Sequence, residues 1–223
     1  MNRIDYQGVF LKRRKTNLNL VKGQIKNGVV LDKDLYTKIH NHSMRWEGIL
    51  TEEDIIKDFE STKTVPTFFA KDPSKQNLTE EIAKEFLSNF PEVKSVKILP
   101  KKGKGSWSIV KGRLDYTDNF TKYQKAGIKS IDFRIELVNG VIIFATHKYT
   151  KDTGGAQDNQ ANDLMSFAEQ TVDYNSNEYR FAIICDGEYY TDSKIKEISQ
   201  KSAKVLVSHS ENFIQKIKEF EWV

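Results

Sequence analysis

Cysteine is almost absent. Cys185 stands alone in 223 residues, which excludes an intrachain disulfide and a cysteine zinc cluster. No apolar run approaches the ~18 residues that a membrane-spanning helix needs, so no membrane association is expected. The opening stretch, MNRIDYQGVFLKRRK, lacks the apolar core of an export leader. No internal repeat or low-complexity tract is visible. These absences leave a cytoplasmic globular protein as the expectation. With 38% hydrophobic and 11% aromatic residues, the chain can bury a real core.

Charge is present in both signs, and unevenly. The net charge is +4. Residues 1–30 carry Arg3, Lys12, Arg13, Arg14, Lys15, Lys22 and Lys26 against Asp5. Residues 94–129 carry ten Lys or Arg against Asp115 and Asp118, whereas 50–92 are acidic. Such asymmetry suits a polyanion-facing side on a soluble body, or simply a lysine-rich solvated surface.

Local patterns predict the elements. GQIKNGVVL (23–31) reads as a turn and a short strand. LTEEDIIKDFESTK (50–63) reads as a helix capped by Thr51, with Ile55, Ile56 and Phe59 on one face. Prolines at 66 and 73 predict a loop over 65–77. NLTEEIAKEFLSNF (77–90) predicts a helix with an apolar stripe of Leu78, Ile82, Phe86 and Phe90. EVKSVKILPKKGKGSWSIVKG (92–112) predicts strand, basic glycine turn, strand.

The centre is SIDFRIELVNGVIIFATHKYT (130–150). Asn139-Gly140 signals a hairpin. Alternation puts Asp132, Arg134 and Glu136 on one face, and Ile131, Phe133, Ile135 and Leu137 on the other, toward the core. On the second strand Ile142, Phe144, Thr146 and Lys148 share a face, so Thr146 and Lys148 can lie beside Asp132. His147 should point away. A helix over the stretch after Gly154-Gly155, a buried strand at 180–187, a strand at 204–209, and helices near 192–202 and 210–221 follow. The order predicts an α/β fold with a mixed central β-sheet flanked by helices.

Phosphodiester hydrolysis needs a divalent cation, an activated water, and positive charge near the scissile phosphate. Magnesium takes oxygen ligands, and lysine can offset charge developing on phosphorus. An acid on one strand and a lysine on its partner meet that need. An ordinary cross-strand ion pair uses the same residue types.

Here the chain resembles the PD-(D/E)XK nuclease superfamily, and more narrowly a type II restriction endonuclease. DPSKQNLTEEIAKEFL (72–87), LPKKGKGS (99–106) and the hairpin stretch 130–164 carry the resemblance, within a span of about 90 residues. It implies a restriction-endonuclease-like core over 71–223 with an N-terminal helical extension over 1–70 used for DNA contact or dimerisation. It implies Asp132 and Lys148 as catalytic residues and Mg2+ as cofactor. The family's second acid, two residues before the lysine, is Thr146 here, which supplies no charge. Glu80, Glu136 or His147 can compensate. Glu80 is favoured as catalytic helper and metal ligand with Asp132, although a first-turn helix acid is also favoured by the dipole. Glu136 lies two positions along the strand, roughly 6.5 Å away. The resemblance implies a metal contact for the His147 backbone carbonyl. His40-Asn41-His42 spells His-Asn-His by coincidence, and Cys185 reads as core.

Double-stranded DNA is the expected partner. Lys101, Lys102 and Lys104, with Lys111 and Arg113, are expected at its backbone; Arg134 and Thr146 are further candidates for DNA contact, although Arg134 can simply neutralise Glu136. Gln157, Asn159, Gln160 and Asn162 are candidates for facing it, since amides bond adenine bidentately, although they also cap and solvate a helix. The basic run LKRRK (11–15) suggests an arm or an exposed turn. Cutting both strands of a palindrome is most simply done by a homodimer. The reading is a magnesium-dependent, site-specific endonuclease. The rivals are a repair or branched-DNA nuclease of the same fold and a catalytically silent DNA-binding module.

Overall fold

The computed structural model describes residues 4–73, 77–117, 128–151 and 155–222. The chain divides into two compact units, one of residues 5–78 and one of 79–223 together with Ile4. The division falls after Leu78 rather than after residue 70. The chain just beyond residue 70 is tied back to this unit, where the Asn17 side-chain amide donates to the Lys71 carbonyl at 2.6 Å.

The first unit contains α1 (Tyr6–Gly23), a small hairpin of β1 (Ile25–Lys26) and β2 (Val29–Val30), α2 (Lys33–Arg45), α3 (Glu52–Ser61) and α4 (Val65–Phe69). The basic run 11–15 lies within α1, so it is helix rather than a turn. Asn27 and Gly28 connect β1 and β2 with φ of 50° and 75°, as a two-residue primed turn requires. Thr51 caps α3 in a reciprocal capping box with Asp54. The loop expected over 65–77 instead begins as helix α4, because Pro66 sits in its first turn, where the missing N–H costs nothing. His40 lies on α2 and pairs with Glu52, while His42 packs edge-on to Phe69. They do not form a ββα metal motif.

The second unit takes up α5 (Leu78–Ser88) from Thr79 onward. It continues with β3 (Val93–Ile98), β4 (Ser106–Val110), β5 (Arg113–Thr117), β6 (Phe133–Leu137), β7 (Ile142–Tyr149), α6 (Gly155–Thr171), β8 (Arg180–Asp186), α7 (Asp192–Ser199), β9 (Val205–Ser208) and α8 (Phe213–Glu219). Its five-stranded sheet has the order β3-β6-β7-β8-β9. β3, β6 and β7 are antiparallel neighbours; β7, β8 and β9 run parallel. The fold is α/β with a mixed central sheet flanked by helices. β4 and β5 form a separate hairpin.

Two apolar layers cover the sheet. On one face Phe144, Phe181, Ile183, Cys185 and Val205 pack with Leu164 and Phe167 of α6 and Ile198 of α7. On the other, Phe133, Ile135, Ile143, Ala182 and Ile184 pack with Ala83 and Leu87 of α5 and Phe213 of α8. β7, β8 and β9 advance in one direction, so two crossovers of one hand put α6 and α7 on the same face. On α5 the buried stripe runs through Leu78, Ile82, Ala83 and Leu87, with Phe86 only half buried. Ile131 departs from the expected alternation: it packs with Phe144 on the face opposite Phe133. Residues 131–132 precede β6, and the Ile131 N–H donates to the Trp107 carbonyl of β4, which turns the chain out of the pleat.

Candidate functional site

The β6–β7 hairpin closes around Asn139 and Gly140, with Gly140 at φ 87°. Its register pairs Phe133 with Ala145, so Asp132 stands opposite Thr146. The two side chains share a face, as period-two alternation predicts. The Thr146 hydroxyl donates to Asp132 Oδ2 at 2.9 Å, and the His147 N–H donates to the same oxygen at 2.9 Å. Asp132 is 3% exposed, and among the described residues its carboxylate accepts no other hydrogen bond, so Oδ1 is left for whatever enters the space beside it.

That space is a cavity of about 340 Å³ lined by Lys101, Lys102, Lys129, Ser130, Asp132, Thr146, Lys148, Asp163 and Phe167, among others. It opens at the carboxyl end of β7, where open α/β sheets hold their ligands. Asp132 and Lys148 face it together without forming an ion pair. Lys129 pairs with Asp163 at 3.3 Å across the same cavity.

Glu80 lies on the first turn of α5, buried, with its carboxylate on Lys101 at 2.5 Å and on the Thr79 hydroxyl at 2.9 Å. Burial pushes its pKa up. The Lys101 hydrogen bond and charge, with backbone and Thr79 donors, outweigh that and hold it below the ordinary glutamate value. The carboxylate therefore reaches the cavity only through Lys101. Glu136 is engaged elsewhere, by Lys94 at 2.6 Å and by Arg134 at 3.2 Å. Arg134 thereby also turns away from the cavity lining.

The His147 side chain points to the opposite face, packed on Phe133 and bonded to Asp186. Its N–H points toward Asp132. N–H and C=O of one strand residue share an edge, so its carbonyl is directed the same way. Among the described residues no group of three His, Cys, Asp or Glu side chains is placed to hold a metal. The donor set that does fit magnesium is Asp132 Oδ1 with the His147 carbonyl, since magnesium keeps several waters and takes one or two carboxylates.

The other expected contacts scatter. Lys104 is exposed on the turn after β3. Lys111, at φ 47°, donates its N–H to Gln170 and lines a separate groove. Asn159 and Asn162 lie on the exposed side of α6. Gln160 accepts a hydrogen bond from Thr150 at 3.0 Å. The Gln157 side chain, like residues 152–154, lies outside what is described. Lys129, Ser130, Asp163 and Phe167 line the cavity without having been expected there. The helical spacing 160, 163, 164, 167 was the available signal, since it marks the face of α6 turned to the sheet. Cys185 is core, and burial pushes its thiol well up, so it is no nucleophile.

Compared with known proteins, the chain matches no family model and no curated protein.

Proposed function

We propose that the chain is a magnesium-dependent deoxyribonuclease of the PD-(D/E)XK type, cutting double-stranded DNA at a specific site as a homodimer. The observation that carries this is the placement of Asp132. One carboxylate oxygen is clamped by two donors, and the other opens into a cavity shared with Lys148 and rimmed by Lys101, Lys102 and Lys129. A structural ion pair would have brought Asp132 and Lys148 together. Here both line one cavity from the same face of the sheet, which suits a phosphate bound against them.

In this reading Thr146 and the His147 N–H orient Asp132 by donating to one of its oxygens, and neither replaces the charge of the family's second acid. Asp132 Oδ1 and the His147 carbonyl would hold the ion, which would lower the cost of negative charge on the phosphate and acidify a water. Lys148 stabilises charge on the phosphoryl oxygens during in-line attack. Lys101, Lys102 and Lys129 hold the DNA backbone and supply affinity rather than sequence preference.

A second reading, a DNA-binding module that does not cut, has Glu80 on its side. That carboxylate is neutralised by Lys101, and Thr146 stands where the family has an acid. Digestion of phage DNA with Mg2+ separates the two. Discrete fragments that disappear with Asp132→Ala and with Lys148→Ala support the site-specific enzyme. Cleavage that survives both substitutions rules out this site. A smear indicates a general nuclease, and tight binding without cleavage favours the module.

A further inference from the structure

Three polar side chains lie buried on the sheet face away from the cavity, where the proposed chemistry does not use them. His147 Nε2 meets Asp186 Oδ2 at 3.2 Å. The Ser210 hydroxyl donates to that same oxygen at 2.6 Å, and the Ser210 N–H donates to Oδ1 at 2.9 Å. Burying such groups costs more than burying apolar ones of the same size, so the cluster calls for a role beyond filling space.

The role is visible in the strand it grips. Among the described residues β7 pairs with β6 only as far as Ala145, and the backbone ladder of 146–149 runs on the β8 side alone. This half-supported stretch carries Thr146, Lys148 and the peptide that clamps Asp132. Asp186 fastens it on both sides of Lys148. Its side chain holds His147, and its carbonyl accepts the Thr150 N–H at 2.9 Å. The next residue, Gly187, has φ +101° and lies so close that a Cβ there would stand 2.1 Å from the Thr150 carbonyl oxygen. The ends of β7 and β8 are therefore in direct backbone contact.

We propose that Asp186, seated by Ser210, is a positioning residue. Through His147 it fixes the backbone of 146–148, and so aims Thr146, Lys148 and the N–H that orients Asp132. The catalytic consequence rests on the hydrolytic reading above; the positioning is a property of the free protein.

Hydrogen exchange on the full chain without metal or DNA tests the positioning by itself. Asp186→Asn keeps the side-chain size. Its His147 amide is expected to exchange at least about tenfold faster, with the Phe144 amide, deeper in the sheet, unchanged. In the same variant Mn2+ affinity, read by electron paramagnetic resonance, falls about 10–100-fold, as when a residue behind a ligand is lost. The cleavage rate falls with it, and duplex Kd without divalent cation does not change. His147→Gln recovers more of the cleavage rate than His147→Ala. An unchanged His147 amide overturns the proposal, whatever the activity. Faster exchange in a protein whose wild type never cuts DNA upholds the positioning and overturns the hydrolytic reading instead. Ser210→Ala, which removes one donor to Asp186, gives the same pattern at smaller amplitude should D186N not fold, and no change in it overturns the proposal equally.

Discussion

Replacing Lys101 by methionine sets burial against pairing at Glu80. The Glu80 side chain is 7% exposed and that of Lys101 42%, with 2.5 Å between nitrogen and oxygen. A fully exposed pair contributes about 0–1 kcal/mol, and stripping the partner from a fully buried charge costs about 3–5 kcal/mol. With one partner nearly half exposed, solvent screens the pair, so about 1–2 kcal/mol is expected at neutral pH. In a chain of this size that lowers Tm by roughly 2–8 °C. The pH dependence is the sharper test. In wild type the lowered pKa of Glu80 gives stability that is complete above the ordinary value of 4.5 and is lost as pH falls through the folded value. Without Lys101, burial becomes the dominant influence and raises the folded value. The variant then loses stability as pH rises through it. The Tm gap is therefore widest near neutral pH and closes as pH falls from the ordinary value of 4.5 down through the lowered folded one. Thermal unfolding by circular dichroism, across that range, on wild type, K101M, E80Q and the double variant reads both effects. The double variant should regain part of what K101M loses, since no buried charge remains unpaired. A gap that does not change with pH refutes the assignment of Glu80 ionisation to Lys101.

Thr146→Val keeps the shape of the side chain and removes one donor to a buried carboxylate, so denaturant unfolding should show a loss of about 1.5–3 kcal/mol; no loss means the hydroxyl does not orient Asp132. Gly28→Ala meets no atom within 4 Å and should cost only the strain of its positive φ, about 1 kcal/mol. Gly187→Ala must also displace the Thr150 carbonyl and should cost several times as much by the same assay; equal costs would contradict the close approach of the two strand ends. Duplex affinity measured against salt should lose about 0.9 from its logarithmic slope with Lys102→Ala, and an unchanged slope would remove Lys102 from the DNA backbone.

What the sequence determined by itself was local. Period-two alternation placed Thr146 and Lys148 on the face of Asp132 and sent His147 the other way, because the pleat of a strand leaves a side chain two choices. Asn139-Gly140 and Thr51 marked a turn and a helix start through the conformations and hydrogen bonds those residues favour. Where a local rule met a distant partner, the partner decided. Ile131 left the pleat because Trp107 offered its N–H a carbonyl. The basic run 11–15 became helix through burial of Tyr6, Phe10, Asn17 and Val21 on the face those side chains share. The pairing of Glu80 with Lys101, of Gln160 with Thr150, and of His147 with Asp186 and Ser210 depends on strand order and crossover. Those are set by how whole layers bury their apolar faces, and no spacing along the chain encodes them.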